Sequence, residues 1–329
     1  MTSRYRLLWR RFLHLKKVNP IRSTIHVPRS FLNASKEITL PCALGFSLLT
    51  LIGLEKKLNA EDELILSIKH CVLFIQRNEY DKAEQLLHVA LKQAQQIQHH
   101  LGITYIYDVM ANLALEREQY DKAKKLFVVV SQRIMADGAT EDDLRVIHIS
   151  IKLARISHMK KEYTTAQVGY DWCIDKLTSA VSKNPTEENI KLLAMAEDWY
   201  GRLFLECNKD ELGFRYMQSA YEKIASLTDA DKEHLVVQLN DLGTVCASIG
   251  KIDESIEFFT KAIDLGKQIP DLEDLGVFYV NLGRAYLKKN MIDVARKSCG
   301  HGWKLGVLMK NNDVKHEAEL CIQEIKNMT

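Results

Sequence analysis

Adjacent histidines, His99 and His100, are the first side chains in this sequence that could hold a metal ion. Neighbouring residues on a helix point apart, however, so two such side chains do not share one cation. We read them as a solvated pair. Seven cysteines are scattered as Cys42, Cys71, Cys173, Cys207, Cys246, Cys299 and Cys321, with no CxxC spacing and an odd count. Zinc ligation and a disulfide framework both need closer order, so buried free thiols are the expectation. Neither HExxH, nor GxSxG, nor a phosphate-binding glycine loop occurs. The one glycine pair, Gly300-His301-Gly302, is too short to cradle a phosphate. Trp172, Trp199 and Trp303 are expected to fill the core rather than stack on bases, and Lys160-Lys161 and Lys288-Lys289 to be solvated helix ends. These residues point away from catalysis and towards binding.

The elements that would position a binding surface are helices. Of 329 residues, 47% are hydrophobic, which excludes general disorder. Only two of the five prolines, Pro185 and Pro270, lie beyond residue 60, which favours long helices. Tyr80-Asp81-Lys82-Ala83 recurs 40 residues later as Tyr120-Asp121-Lys122-Ala123. Extending that frame gives a first small site at Cys71, Ala111, Ala154, Gly201, Gly243 and Gly283. Twelve residues on come Ala83, Ala123, Ala166, Gly213, Ser255 and Ala295, and seven further Ala90, Val130, Cys173, Ala220, Ala262 and Gly302. Between the last two sets stand Leu87, Phe127, Tyr170, Met217, Phe259 and Cys299, of which only the last is not bulky. Two antiparallel helices approach closely only where facing residues are small, and a large residue one turn away fills the space beside them.

This pattern resembles the tetratricopeptide repeat. The strings NEYDKAEQLLHVALKQAQ, NLALEREQYDKAKKLF and LNDLGTVCASIGKIDESIEFFTKAI carry the resemblance, and Tyr279-Val280-Asn281-Leu282-Gly283-Arg284-Ala285-Tyr286 repeats its first-helix motif. The predicted fold is all-α: a right-handed α-solenoid of about six long helix pairs over 59–310, with a C-terminal capping helix over 311–329. Unit spacings of 40, 43, 47, 42 and 40 residues exceed the simple repeat, as in kinesin-light-chain-like arrays, so helices and loops must be extended. The longest gap, around Ser182-Lys183-Asn184-Pro185-Thr186, is the expected flexible point.

Charge divides the chain. Residues 1–36 carry nine basic residues and no acid, with Leu7, Leu8, Trp9, Phe12, Leu13 and Leu15 between them. An amphipathic, Arg-rich, acid-poor leader is a mitochondrial import signature. Its charge is drawn inward by the membrane potential at about 2.3 kcal/mol per charge per 100 mV. A basic tail or nucleic-acid arm is the alternative. Residues 37–58 contain seventeen uncharged residues, Ile38 to Leu54, near the minimum for a membrane-inserting segment, though Pro41, Gly45 and Gly53 weaken it. A buried packing helix is the other reading. With the basic flank in the matrix, the body would face the intermembrane space; a matrix protein is the alternative. Residues 60–329 hold 34 basic and 41 acidic residues, a net −7 that argues against nucleic acid.

First helices should line a groove suited to a peptide or partner helix. The repeat frame assigns Tyr105, Asp108, Asn112, His148, Arg155, Asp198, Arg202, Asn240, Thr244 and Arg284 to it. Asn112 and Asn240 could bond a peptide backbone, and Arg155, Arg202 and Arg284 could hold carboxylates. The alternative for each is an exposed polar residue without a partner.

Leader, apolar segment and long repeats together resemble a mitochondrial branch of the tetratricopeptide repeat family. That resemblance implies an inner-membrane protein bound to respiratory complex III subunits, and the lack of catalytic motifs makes it an expected non-enzyme without cofactor or metal. It implies support of that complex's assembly or upkeep, including clearance of Rieske iron–sulfur protein fragments. A general mitochondrial peptide-binding co-chaperone is the second reading, and a hydrolase or transferase with an unrecognised site the third.

Overall fold

A computed structural model of the chain describes residues 59–328. The leader and the apolar segment Ile38 to Leu54 lie outside the described residues. The described residues form thirteen helices and no strand. They are α1 (Ala60–Gln76), α2 (Tyr80–Gln96), α3 (His100–Glu116), α4 (Tyr120–Ala136), α5 (Leu144–Met159), α6 (Tyr163–Lys183), α7 (Glu187–Glu206), α8 (Asp210–Ala225), α9 (Lys232–Ser248), α10 (Ile252–Gly266), α11 (Leu275–Lys288), α12 (Ile292–Leu308) and α13 (Asn312–Met328). They fall into two compact units, α1–α5 over 59–160 and α6–α13 over 161–328.

Helix starts alternate in kind. Odd helices tend to open on a side-chain cap: Asn59, Asp143, Thr186 and Asp231 each accept a backbone N–H from the first turn, at 2.7–3.2 Å. His99 caps α3 through Nδ1, 2.8 Å from the Gly102 N–H, which accounts for half of the histidine pair. Even helices follow a three-residue turn and have no side-chain cap. The middle residue of every such turn has positive φ: Asn78 (59°), Glu118 (58°), Lys161 (64°), Asn208 (59°), Gly250 (86°) and Asn290 (60°). One left-handed residue reverses the chain and lets the next N–H groups reach back to the helix end, as Asn78 does to Ile75 at 2.9 Å.

All eighteen small positions of the repeat are buried. Within each unit their role is close approach. In the 161–328 unit, a Cβ added at Gly201 would lie 2.8 Å from the Gly213 carbonyl, and one at Gly302 would lie 2.8 Å from the Gly276 carbonyl. Leu87, Phe127, Tyr170, Met217 and Phe259 sit beside these contacts and are at most 3% exposed. The cores are local and consecutive: one cluster joins α1, α2 and α3 around Leu87 and Ile106, the next joins α3, α4 and α5 around Phe127. In the second unit one cluster spans α9–α11 around Phe259 and another α11–α13 around Val280 and Ile325.

Three expectations change. The long gap around Pro185 is mostly helix: its extra residues lengthen α6 to 21 and α7 to 20 residues. Only 184–186 stay outside a helix, and Asn189 donates to the Asn184 carbonyl at 2.8 Å to close that turn. The tryptophans are not core fillers, since Trp172 and Trp199 are half-buried and Trp303 is 37% exposed, donating to Glu319 at 3.2 Å. The cysteines are not all free, because Cys299 and Cys321 form a disulfide.

Candidate functional site

The candidate residues fall on odd helices, and the structure reveals what those helices do with them. Adjacent odd helices are stitched together by polar side chains about one repeat apart in sequence. In the 59–160 unit the stitch is Lys152 on α5, whose Nζ donates to Asn112 Oδ1 at 2.8 Å. Asn112 in turn donates to the Asp108 carbonyl one turn back, at 2.7 Å. Tyr105 is 8% exposed, and burial, reinforced by the Asp108 charge, raises its hydroxyl pKa. His148 and Arg155 are half-buried, and Arg155 Nη1 lies 3.1 Å from His158 Nδ1.

Lys152 itself is one of the residues that sequence reasoning missed. It is only 6% exposed, and its ammonium lies 5.3 Å from the centre of the Phe127 ring. Burial lowers its pKa below the ordinary lysine value, with Asp108 opposing. A lysine whose folded pKa is lowered stabilises more as pH rises towards its unfolded value. Lys152→Met removes a costly buried charge but strands Asn112 Oδ1, so at pH 7 stability should stay within about 2 kcal/mol of wild type, and any advantage of the variant should shrink by pH 10. Denaturant unfolding at the two pH values measures this, and an advantage that grows with pH would contradict the burial argument.

In the 161–328 unit three stitches follow one another. Arg202 on α7 donates to its own Asp198, from Nε at 2.9 Å and from Nη2 at 3.3 Å, and to Asp241 on α9 at 2.7 Å. Burial works against the guanidinium, but the two carboxylates outweigh it and raise its pKa. Burial lifts the Asp241 pKa above the usual carboxylate range, while Arg202 pulls it down. The second oxygen of Asp241 is buried with no hydrogen-bond partner among the described residues. Half-buried His234 lies close to this group, its pKa lowered by burial against the pull of Asp198. Next, Asn281 on α11 donates to Asn240 Oδ1 at 2.8 Å, and Thr244 donates to the Asn240 carbonyl at 2.9 Å. Last, Arg284 on α11 reaches Glu317 at 2.9 Å and Glu324 at 3.4 Å, both on α13.

The expected division of labour is thus different. Arg202 and Arg284 are neither exposed without partners nor held open for a ligand carboxylate, since each already carries two carboxylates of its own chain. Asn112 and Asn240 accept from neighbouring odd helices. Asp198, Arg202 and Asp241 come together, as do Asn240, Thr244 and Asn281, whereas Arg284 is turned to the last helix. The missed partners could have been found from the repeat, because Lys152 follows Asn112 by 40 residues, Asp241 follows Arg202 by 39 and Asn281 follows Asn240 by 41.

Ion pairs also tie the hairpin turns to the preceding helices within each unit. Arg117 bonds Asp81 at 3.0 Å and Glu84 at 2.6 Å, Lys160 bonds Asp121 at 2.8 Å, Lys251 bonds Glu211 at 3.0 Å, and Lys289 pairs with Asp253. Lys160 and Lys289 are exposed helix ends, as expected, that also bridge successive hairpins, in exposed pairs that contribute only about 0–1 kcal/mol each. Among the described residues no three His, Cys, Asp or Glu side chains gather as a metal site, and no helix is long and apolar enough to cross a membrane.

The tetratricopeptide repeat family model matches residues 239–267, which run from α9 to the turn after α10. The chain is 36% identical over 273 residues to the Drosophila melanogaster protein named tetratricopeptide repeat protein 19 homolog, mitochondrial, covering 83% of this chain and 74% of the relative. Its fold is similar to that of a Pyrococcus horikoshii signal-transduction ATPase with a tetratricopeptide repeat sensor, at a TM-score of 0.57 and 13% identity. That match covers 77% of this chain and only 35% of the ATPase. The crystal structure of BtubC from P. vanneervenii matches over 78% of this chain and 94% of its own, with a TM-score of 0.53 and 16% identity.

Proposed function

Because the chain belongs to the mitochondrial tetratricopeptide repeat protein 19 family, we propose that it is a non-enzymatic interaction factor of the inner membrane. It binds respiratory complex III, supports assembly or upkeep of that complex, and assists clearance of Rieske iron–sulfur subunit fragments. The observation that carries this reading is the 36% identity over 273 residues to a mitochondrial relative, joined to the leader and apolar segment that precede the repeats. The fold alone would not suffice, since helical repeats serve many partners.

The physical role is tethering and recognition. The apolar segment 38–54 holds the array at the inner-membrane surface and raises its effective concentration near a membrane complex. The basic leader side faces the matrix and the acidic body the intermembrane space. The partner is a subunit surface or peptide laid along the odd-helix side. With Arg202, Asn240 and Arg284 engaged internally, recognition falls to half-buried groups beside these side chains, such as Asp108 in the 59–160 unit and, separately, Thr244 in the 161–328 unit.

Gentle detergent extraction of mitochondria, native separation and identification of co-migrating proteins test this proposal. Complex III subunits are expected with the wild-type chain. They should be lost with Thr244→Arg, which adds bulk to the odd-helix side without touching a charge pair. Migration with a chaperone, or alone, overturns the complex III reading and leaves the fold standing.

A further inference from the structure

Cys299 and Cys321 set the last hairpin apart from the others. Position 299 belongs to the series occupied elsewhere by Leu87, Phe127, Tyr170, Met217 and Phe259. Here the bulk comes from a covalent bond: Cys299 on α12 is joined to Cys321 on α13, with Cα atoms 6.1 Å apart and 22 residues between them in sequence. Both residues are fully buried. The sulfur lies directly over Gly283 of α11, where an added Cβ would overlap it. The free cysteines differ in kind. Burial pushes the thiols of Cys71, Cys173 and Cys246 up to about 12, which keeps them as protonated, inert groups.

The helix that this bond secures is otherwise held by non-covalent packing and surface pairs. Val314, Ala318, Cys321 and Ile325 form its buried stripe, and the Arg284 pairs and the Trp303–Glu319 bond flank it. Without it, the apolar surface of α11 and α12 around Val280, Leu287 and Ala295 loses its cover.

We propose that Cys299 and Cys321 are an oxidative modification site whose closure locks the capping helix onto the array. The oxidant is the disulfide of a thiol–disulfide oxidoreductase. One cysteine attacks a donor sulfur as thiolate, forming a mixed disulfide and releasing the other donor sulfur as thiolate. The second cysteine then attacks the first, closing the Cys299–Cys321 bond and releasing the donor as a dithiol. Two electrons pass to the donor, and the two protons lost by the cysteines are matched by the two that the donor thiols take up. Since both sulfurs are buried in the docked state, exchange takes place while α13 is undocked, and docking then shields the bond from reductants. The bond thus records folding outside a reducing compartment, a consequence that rests on the proposed intermembrane-space placement of the body.

Full-length protein from isolated mitochondria should be alkylated under denaturing conditions without reductant and digested. A peptide pair linked through Cys299 and Cys321 is expected, and alkylation of both residues in that sample overturns the proposal. Protease protection in mitoplasts reads the placement separately. A linked pair in a protected body sinks the placement alone, whereas free thiols in an accessible body sink the disulfide alone. Purified wild-type chain after reduction, and Cys321→Ala without reduction, should both be cleaved within α13 more than about tenfold faster than the oxidised chain. Equal rates in all three would mean that the bond does not lock the helix.

Discussion

Replacing Arg202 with methionine should cost the 161–328 unit about 3–5 kcal/mol, because removing one partner from a buried ionic group strands the others. The stranded charge is mainly Asp241, whose side chain is 3% exposed and has one oxygen unpartnered already. The sign of the pH dependence follows from the direction of its pKa. Folding raises the Asp241 pKa above the ordinary 3.8, so the stability tied to its proton is complete below that value and is lost as pH rises through the folded pKa. Arg202 holds that upward shift in check. In Arg202→Met the shift grows, so the deficit relative to wild type should be larger at pH 7 than at pH 5. Adding Asp198→Leu and Asp241→Leu should recover most of the loss, since an apolar replacement of the whole group leaves nothing unpaired. Denaturant unfolding at both pH values measures this, and a pH-independent loss below about 1 kcal/mol would mean the triad is solvated after all.

A second large effect is expected where Phe259 meets Gly243. Phe259 is 2% exposed, and a Cβ on Gly243 would lie 2.7 Å from its ring. Ser255 donates to the Gly243 carbonyl at 2.7 Å and holds the two helices at that spacing. Phe259→Ala should cost about 3–5 kcal/mol through the cavity it leaves. Gly243→Ala should cost about 1–3 kcal/mol, because the clash outweighs the helix-propensity gain of up to about 1 kcal/mol. The double variant should be more stable than the sum of the two losses predicts, as the new methyl enters the space the ring vacates. A coupling of about 0.5–3 kcal/mol is expected. Strict additivity would show that the small site is not reserved for the ring.

The same contact shows why so much of the fold was legible in the amino acids. Small residues at fixed intervals report close helix approach, and the large residue beside them reports the hole to be filled. Those demands are local and repeat, so Gly243 and Phe259 identify one hairpin and Ala111 and Phe127 another. The three-residue turns were harder to see, because Glu118 and Lys161 adopt left-handed backbone that their residue types do not advertise. The candidate site was legible in position and not in role. The frame puts Arg202, Asn240 and Arg284 on odd helices, but whether a side chain meets solvent or the next helix depends on which residue stands one repeat away. Lys152 escaped notice because a lysine reads as exposed until Asn112 and Phe127 are seen around it.

The recurring turn also governs where the chain can absorb insertions. Within each hairpin the two helices are separated by three residues every time, with one left-handed residue at the centre. Between hairpins the link is free to vary: it is three residues after α2 but eight after α10. An added residue inside a hairpin turn would rotate the second helix by about 100° and carry its small stripe off the contact. The same addition between hairpins would be taken up by a longer link. Length variation among relatives of this chain should therefore collect at the even-to-odd junctions, and the odd-to-even junctions should hold their count.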